Sequence, residues 1–250
     1  MLAASARAAA GAFTFLTRVP LARLVVLDGD DVARGSTLFP VVGAGVCAAG
    51  GGVALLVDQW LPSFTTAALA CTVTVLLTGA LHVDALADTV DALGAPTRER
   101  ALEVMRDSRI GSFGATAIAL DLLLKVSAVA ALVDRGGVVG AFVAAGALSR
   151  SAAPLLAARL PYPRAAGGTG SVLTGRVTTA TADIVSVIGL AITVVAAGAD
   201  AWPLDATAAI ATLALALWYR AWLGGATGDC LGATTEVIET AVLVVAAALA

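Results

Sequence analysis

Residues 113–133 read FGATAIALDLLLKVSAVAALV, and this stretch decides the fold. A bilayer's hydrocarbon core, ~30 Å thick, takes ~20 helical residues to cross, and the run is apolar over that length apart from Asp121 and Lys125. Those two stand four residues apart, so on a helix they share a face and can neutralise each other. At ~1.5 Å per residue Lys125 lies roughly 18 Å into the span, near the bilayer midplane. Six further apolar stretches flank this one, over residues 38–57, 64–81, 137–157, 184–201, 205–223 and 235–250. Of the 250 residues 59% are hydrophobic and 13% charged, with a mean hydropathy of +0.94, where soluble domains carry about 25% charged residues. The expected fold is all-α: one polytopic membrane-embedded helix bundle over residues 1–250, with about seven transmembrane helices. Residues 1–20 hold the patch AAAGAFTFL between Arg7 and Arg18, too short to span comfortably and lacking a convincing cleavage site; an interfacial helix retained in the mature chain is expected.

The arginines orient the bundle. Arg7, Arg18, Arg23 and Arg34 precede the first span, Arg98, Arg100, Arg106 and Arg109 follow the second, Arg159, Arg164 and Arg176 follow the fourth, and Arg220 ends the sixth. The alternate connections are poor in base, holding Asp58, the pair Asp134 and Arg135, and Asp200 with Asp205. The positive-inside rule then places the N-terminus in the cytosol, in a cytoplasmic (inner) membrane. A net charge of -3 and 5% aromatics, with no basic, aromatic-rich strip, exclude nucleic-acid binding. Cys47, Cys71 and Cys230 have neither zinc-site nor disulfide-scaffold spacing.

Chemistry gathers on the face that this orientation makes cytosolic. In HVDALADTVDALG, Asp84, Asp88 and Asp91 are spaced i, i+4 and i+7, within about 60° of one another on a continuing helix. Carboxylates ~6 Å apart at an effective dielectric near 20 repel by roughly 3 kcal/mol per pair, which a metal, a proton or facing arginines must offset. MRDSRIGSFG follows with Arg106, Asp107 and Arg109, and the turns GGTG, with Gly168 and Gly170, and GGATGD, ending at Asp229, share the same face. Carboxylates for a hard cation, arginines for phosphate oxygens and glycines for close backbone approach suit a magnesium-bound phosphate or pyrophosphate. Phosphoryl transfer is the matching reaction, since it needs mainly positioning and charge neutralisation. Solvated helix-end carboxylates and topogenic arginines are the plainer alternatives.

These segments resemble one known family. HVDALADTVDAL is similar to the HxDGLADxxDG signature of the cobalamin synthases (adenosylcobinamide-GDP ribazoletransferases), and MRDSRIGSFG to their MxDSRxGxxG segment. Thr17 to Pro20, Arg34 with Gly35, Phe39 with Pro40, Ser149 with Arg150, Gly168 with Gly170, and GGATGDCLGATTEVIE follow in the family's order. Ala85 and Ala92 depart from it, standing where the family usually has glycine. The resemblance implies attack by a hydroxyl of α-ribazole, or its 5′-phosphate, on adenosylcobinamide-GDP, with release of GMP. It further implies Mg2+ held by Asp84, Asp88 and Asp229 with Asp91 nearby, and a phosphate clamp of Arg106 and Arg109 with Asp107 orienting them or serving the metal.

Four assignments stay open on sequence. Arg150, some 10 Å inside the fourth span, is a candidate substrate contact reached by snorkelling. Glu236 and Glu239 could complete the metal shell with Asp229, although a helix N-terminus also favours Glu236. His82, about 200° around the helix from Asp84, faces away from the trio and suits a hydrogen-bonded supporting role. Homo-oligomerisation is neither required nor excluded. Two rival functions share these features: a polytopic transporter, with Asp121, Lys125 and Arg150 along a path, and a lipid-headgroup phosphotransferase, for whose DGxxAR-type signature DALADT is a poor match.

Overall fold

The computed structural model describes residues 2–19, 26–164 and 169–250. Among them the chain forms helices and turns, with no strand. The helices are α1 (Leu2–Leu16), α2 (Gly29–Gly35), α3 (Phe39–Val57), α4 (Ser63–Thr78), α5 (Leu81–Asp91), α6 (Arg98–Val104), α7 (Ser112–Arg135), α8 (Val138–Arg159), α9 (Thr179–Ala197), α10 (Ala201–Leu223) and α11 (Gly228–Leu249). Each of the seven expected apolar stretches lies on one of α3, α4 or α7–α11. Length and hydropathy qualify five segments as spans, or six with a bent pair counted as one, because α9 and α10 form a single 45-residue run. That run breaks at Gly198, whose φ of 57° no helix accommodates.

Burial sorts these helices into two layers. In α8 and α11, 78% and 72% of the apolar stretch is buried, against 28% in α7 and 22% across α9 and α10, so the first two are the inner helices. The outer ones turn Leu120, Leu123, Ile210 and Leu213 outward, apolar surface that suits lipid. The inner face of α8 is lined by Ala144, Ala145, Gly146 and Ala147. Without a hydrophobic drive between helices in lipid, such small residues let backbones close up and gain packing; Gly43 of α3 and Gly146 of α8 meet backbone to backbone.

The two ends of the bundle are chemically distinct. At one, Ser63 bonds Asp134, Arg135 donates to the Ala247 carbonyl at 3.0 Å, and Trp60 and Trp202 stand exposed like interfacial anchors. At the other, Arg159 pairs with Asp183 at 2.7 Å, Arg164 with Asp229 at 3.2 Å, and Arg176 with Asp30. The arginine-rich loops and the acidic segments therefore share one end. There α1 packs on α2 through Arg7 and the buried Asp31, and a capping box between Asp28 and Asp31 starts α2.

One expectation is corrected. The second apolar stretch does not run straight on into the aspartates: α4 stops at Thr78, Gly79 and Ala80 both adopt left-handed φ (64° and 60°), and α5 leaves at 87°. Left-handed φ at alanine costs about 1 kcal/mol or more and persists only when surroundings hold it. Here Arg18 supplies that support, its N–H donating to Leu77 O at 2.8 Å and its side chain to Gly79 O at 3.4 Å.

Candidate active site

The bend aims α5 across the arginine-rich end, where it packs between α7 and α11. A cavity of about 920 Å³ opens beside it, bounded by α1, α2, α5, α8, α11 and the turn at 169–172. Asp84 from α5 and Asp229 from α11 both line it, and so do His82, Arg150, Gly170 and Gly228. Of the expected trio, Asp84 thus shares a cavity with Asp229, while Asp88 and Asp91 are not among the lining residues. Gly170 is packed so tightly on Thr227 and Gly228 that the turn and the start of α11 form one wall. Gly168 lies outside the described residues.

Asp88 registers the crowding. Burial, then the charges of Asp84, Asp229 and Asp91, push its carboxyl up to about 7, with Arg164 pulling the other way. Local negative charge exceeds local positive charge here, which is the condition under which a divalent cation binds. Among the described residues no three His, Cys, Asp or Glu side chains form a ready-made metal cage. Mg2+ rarely needs one: it takes one or two carboxylates, keeps waters, and is completed by substrate phosphates. Asp84 and Asp229, which line the cavity together, fit that mode, with Asp88 adding negative charge beside them.

Asp91 does something else. Its two oxygens accept from the Gly111 and Gly114 N–H groups, each at 2.7 Å, satisfying orphan donors at the start of α7. A side chain on either glycine would collide with the carboxylate. The aspartate segment and the MRDSRIGSFG segment are thus joined by a helix cap supplied from another helix, and Asp91 orients the site rather than facing the cavity. Asp91→Ala is expected to cost about 1–2 kcal/mol in thermal unfolding, with Asp91→Asn keeping about half of that stability, because an amide offers one acceptor oxygen for the two N–H donors. Equal losses in both variants would show that the charge, not the cap, is what matters.

Other expected residues are placed differently. Arg106, Asp107 and Arg109 sit between α6 and α7 and none lines the cavity. Arg109, with its side chain 86% exposed, is held by Asp107 at 2.6 Å; the guanidinium lowers the Asp107 carboxyl to about 2. The arginine beside the acidic cluster is instead Arg164, nearly buried, bonded to Asp229 Oδ2 at 3.2 Å and with Nε buried and unpartnered. From the sequence Arg164 stands as one of the arginines that orient the bundle, and its place just ahead of the glycine turn is the signal for a further role.

Glu236 and Glu239 do not join Asp229. They begin seven residues further along α11, roughly 10 Å deeper, where Glu236 pairs with Lys125 and Glu239 with Lys125 (3.0 Å) and Arg150. Lys125 therefore answers α11 more closely than its own helix neighbour Asp121, at 3.7 Å. Arg150 reaches the cavity wall with its guanidinium already engaged by Glu239 and by Ser149 Oγ at 2.9 Å. His82, expected to face away from Asp84, lines the same cavity and is 4% exposed. All three cysteines are free and buried.

The bundle and its cavity define an integral-membrane protein with an acidic, arginine-rimmed site at one end. The chain belongs to the cobalamin-5-phosphate synthase family, whose model matches residues 8–247. Proteins named adenosylcobinamide-GDP ribazoletransferase are similar over most of their length: that of Klebsiella pneumoniae is 37% identical over 91% of this chain and 94% of that protein. The Leptothrix cholodnii protein is 40% identical over 92% and 90%, and an Escherichia coli one 34% over 90% and 93%. No solved structure matches the chain.

Proposed function

We propose that this chain transfers the adenosylcobinamide-phosphate moiety of adenosylcobinamide-GDP to α-ribazole or its 5′-phosphate, releasing GMP, at the cytosolic face of the cytoplasmic membrane. The observation that carries this reading is that Asp84 and Asp229, from distant segments, line one cavity beside Asp88 at the arginine-rich end. The acceptor hydroxyl oxygen forms a bond to the phosphorus that bears cobinamide, and the bond from that phosphorus to the oxygen bridging to GMP breaks. The hydroxyl proton passes to a carboxylate of the cluster, and GMP departs with the bonding electrons. Asp84 and Asp229, with the charge of Asp88 beside them, would hold Mg2+, which when bound supplies neutralisation of the pyrophosphate. Arg164 donates toward phosphate oxygens, with Arg106 and Arg109 at the outer rim. Asp91 fixes α5 against α7 so that these groups keep their geometry.

Membranes containing the protein, incubated with adenosylcobinamide-GDP, α-ribazole and Mg2+, are expected to release GMP and a complete corrinoid, with loss of turnover on chelation and recovery on adding Mg2+. Equal turnover with and without chelator would remove the metal from the proposal. The orientation has its own check: cysteine at the exposed positions Arg98 and Asp58 should label from the cytosolic and the opposite side respectively. The native cysteines are buried and leave the background low. Cytosolic labelling at position 58 would reverse the assignment.

A transporter path through Asp121, Lys125 and Arg150 is less well supported. Lys125 and Arg150 are engaged by Glu236 and Glu239 across helices, and all five groups are at most 9% exposed.

A further inference from the structure

The two cavity carboxylates come from helices that touch right beside them. A methyl on Gly232 of α11 would put its carbon 2.5 Å from the Ala85 Cβ on α5, and 3.9 Å from the His82 Cα and the Leu81 carbonyl oxygen. Ala85 directly follows Asp84, and Gly232 stands three residues on from Asp229, about 60° around α11. All four residues line the cavity. From this juxtaposition we infer that Ala85 and Gly232 are a pair of positioning residues: their contact sets the gap between the Asp84 and Asp229 carboxylates, and through that gap the size of divalent cation the two accept. The inference rests on the transferase reading in taking that cation to be the one that serves the reaction.

Two other restraints hold α5, and neither sets that gap. Along its axis the helix is fixed at its start, where the Asp84 N–H donates to Ala80 O at 2.9 Å just past the left-handed pair Gly79 and Ala80. Against α7 it is already close, since a methyl on Gly114 would come 2.8 Å from Ala87 O. What these leave to the remaining contact is the distance to α11, and there a hydrogen faces a methyl. Non-bonded carbons rest ~3.5–4.0 Å apart, so a methyl at position 232 requires the helices to part by roughly 1 Å on the same scale. Neither methyl could rotate aside, because each is bonded directly to its Cα. Whichever helix gives way, Asp84 and Asp229 move apart. Cations differ in their tolerance of that: Mg2+ takes oxygens at ~2.0–2.1 Å in near-octahedral order, whereas Ca2+ takes them at ~2.3–2.6 Å in flexible geometry. A closely spaced pair therefore favours Mg2+, and parting it favours Ca2+.

Binding of Mn2+ alone to the full-length protein, followed by loss of the free-ion EPR signal with Mg2+ or Ca2+ as competitor, reads the gap without turnover. Residues that orient metal ligands typically change affinity by 10–100-fold, so Gly232→Ala is expected to weaken competition by Mg2+ by roughly that factor and competition by Ca2+ by less than about threefold. Adding Ala85→Gly transfers the methyl from α5 to α11, leaves one methyl at the contact, and should restore both the Mg2+ preference and transfer. An unchanged ratio of Mg2+ to Ca2+ in Gly232→Ala, equal weakening of both, or a double variant no better than the single one would reduce the contact to packing and overturn the inference. Should Gly232→Ala fail to assemble, the double variant decides: assembly with wild-type metal preference upholds the exchange of the methyl, and failure to assemble overturns it. A metal preference that follows the methyl in a protein releasing no GMP from adenosylcobinamide-GDP would leave the contact standing and refute the transferase reading. Wild-type GMP release by Gly232→Ala would do the reverse, so the two fail separately.

Discussion

Asp229→Asn is expected to lower transfer about 100- to 1,000-fold, as much as Asp84→Asn, while the protein still inserts and keeps its fold. Removing one group that neutralises or positions developing charge in an enclosed site typically costs that much. Asparagine preserves shape and, in the first turn of α11 two residues after the Thr227 cap, keeps a polar side chain where the helix tolerates it. The loss should therefore appear mainly in kcat, alongside a smaller drop in thermal stability because the variant gives up the charge that pairs with the nearly buried Arg164. The double variant separates one site from two: residues acting as a unit are strongly non-additive, so Asp84→Asn with Asp229→Asn should be little worse than either alone. Multiplicative losses would mean that the two carboxylates serve different steps, and the shared cavity would then be a coincidence of packing.

How far the sequence alone reached depends on the range of the interaction. The bundle was legible because lipid imposes length and hydropathy on each span separately, as in 113–133, and the common end of the acidic and arginine-rich loops was legible because alternation along the chain sets it. The trio's helix was also read correctly, since i, i+4 and i+7 spacing is local. What failed was pairing across helices. Asp91 looked equivalent to Asp84 and Asp88 by spacing, yet α7 begins beside it and takes its carboxylate as a cap. Glu236 and Glu239 looked like extensions of Asp229 because they are near it in sequence, but helical rise carries them toward Lys125 and Arg150. The bend at Gly79 and Ala80 was invisible because alanine at positive φ has no sequence signal, and it sets the direction of α5, whose first turn presents both His82 and Asp84 to the cavity.

The buried charges should behave as a structural clamp, and the second large effect follows from that. Lys125 lies between Glu236 and Glu239, with Arg150 completing the pairing of Glu239 and Thr240 donating to Asp121 at 2.6 Å. Removing one partner of a buried ion pair typically destabilises by about 3–5 kcal/mol, since the remaining charge stays buried and uncompensated. Lys125→Ala strips the ammonium from two glutamates at once and is expected to reach that range, lowering the melting temperature in detergent by roughly 10 °C, at about 2–4 °C per kcal/mol for a chain of this size. Asp121→Asn should cost far less, because its Oδ2 has no hydrogen-bond partner, Lys125 is 3.7 Å away, and an amide can still accept from Thr240. Replacing Lys125 and Glu236 together by methionine removes opposite charges in balance and should recover part of the stability lost in Lys125→Ala. A clamp requires that order: Lys125→Ala worst, the double replacement intermediate, Asp121→Asn mildest. If Lys125→Ala melted like the wild type yet abolished activity, the network would be acting as a functional relay, and the path-like reading of these charges would have to be reopened.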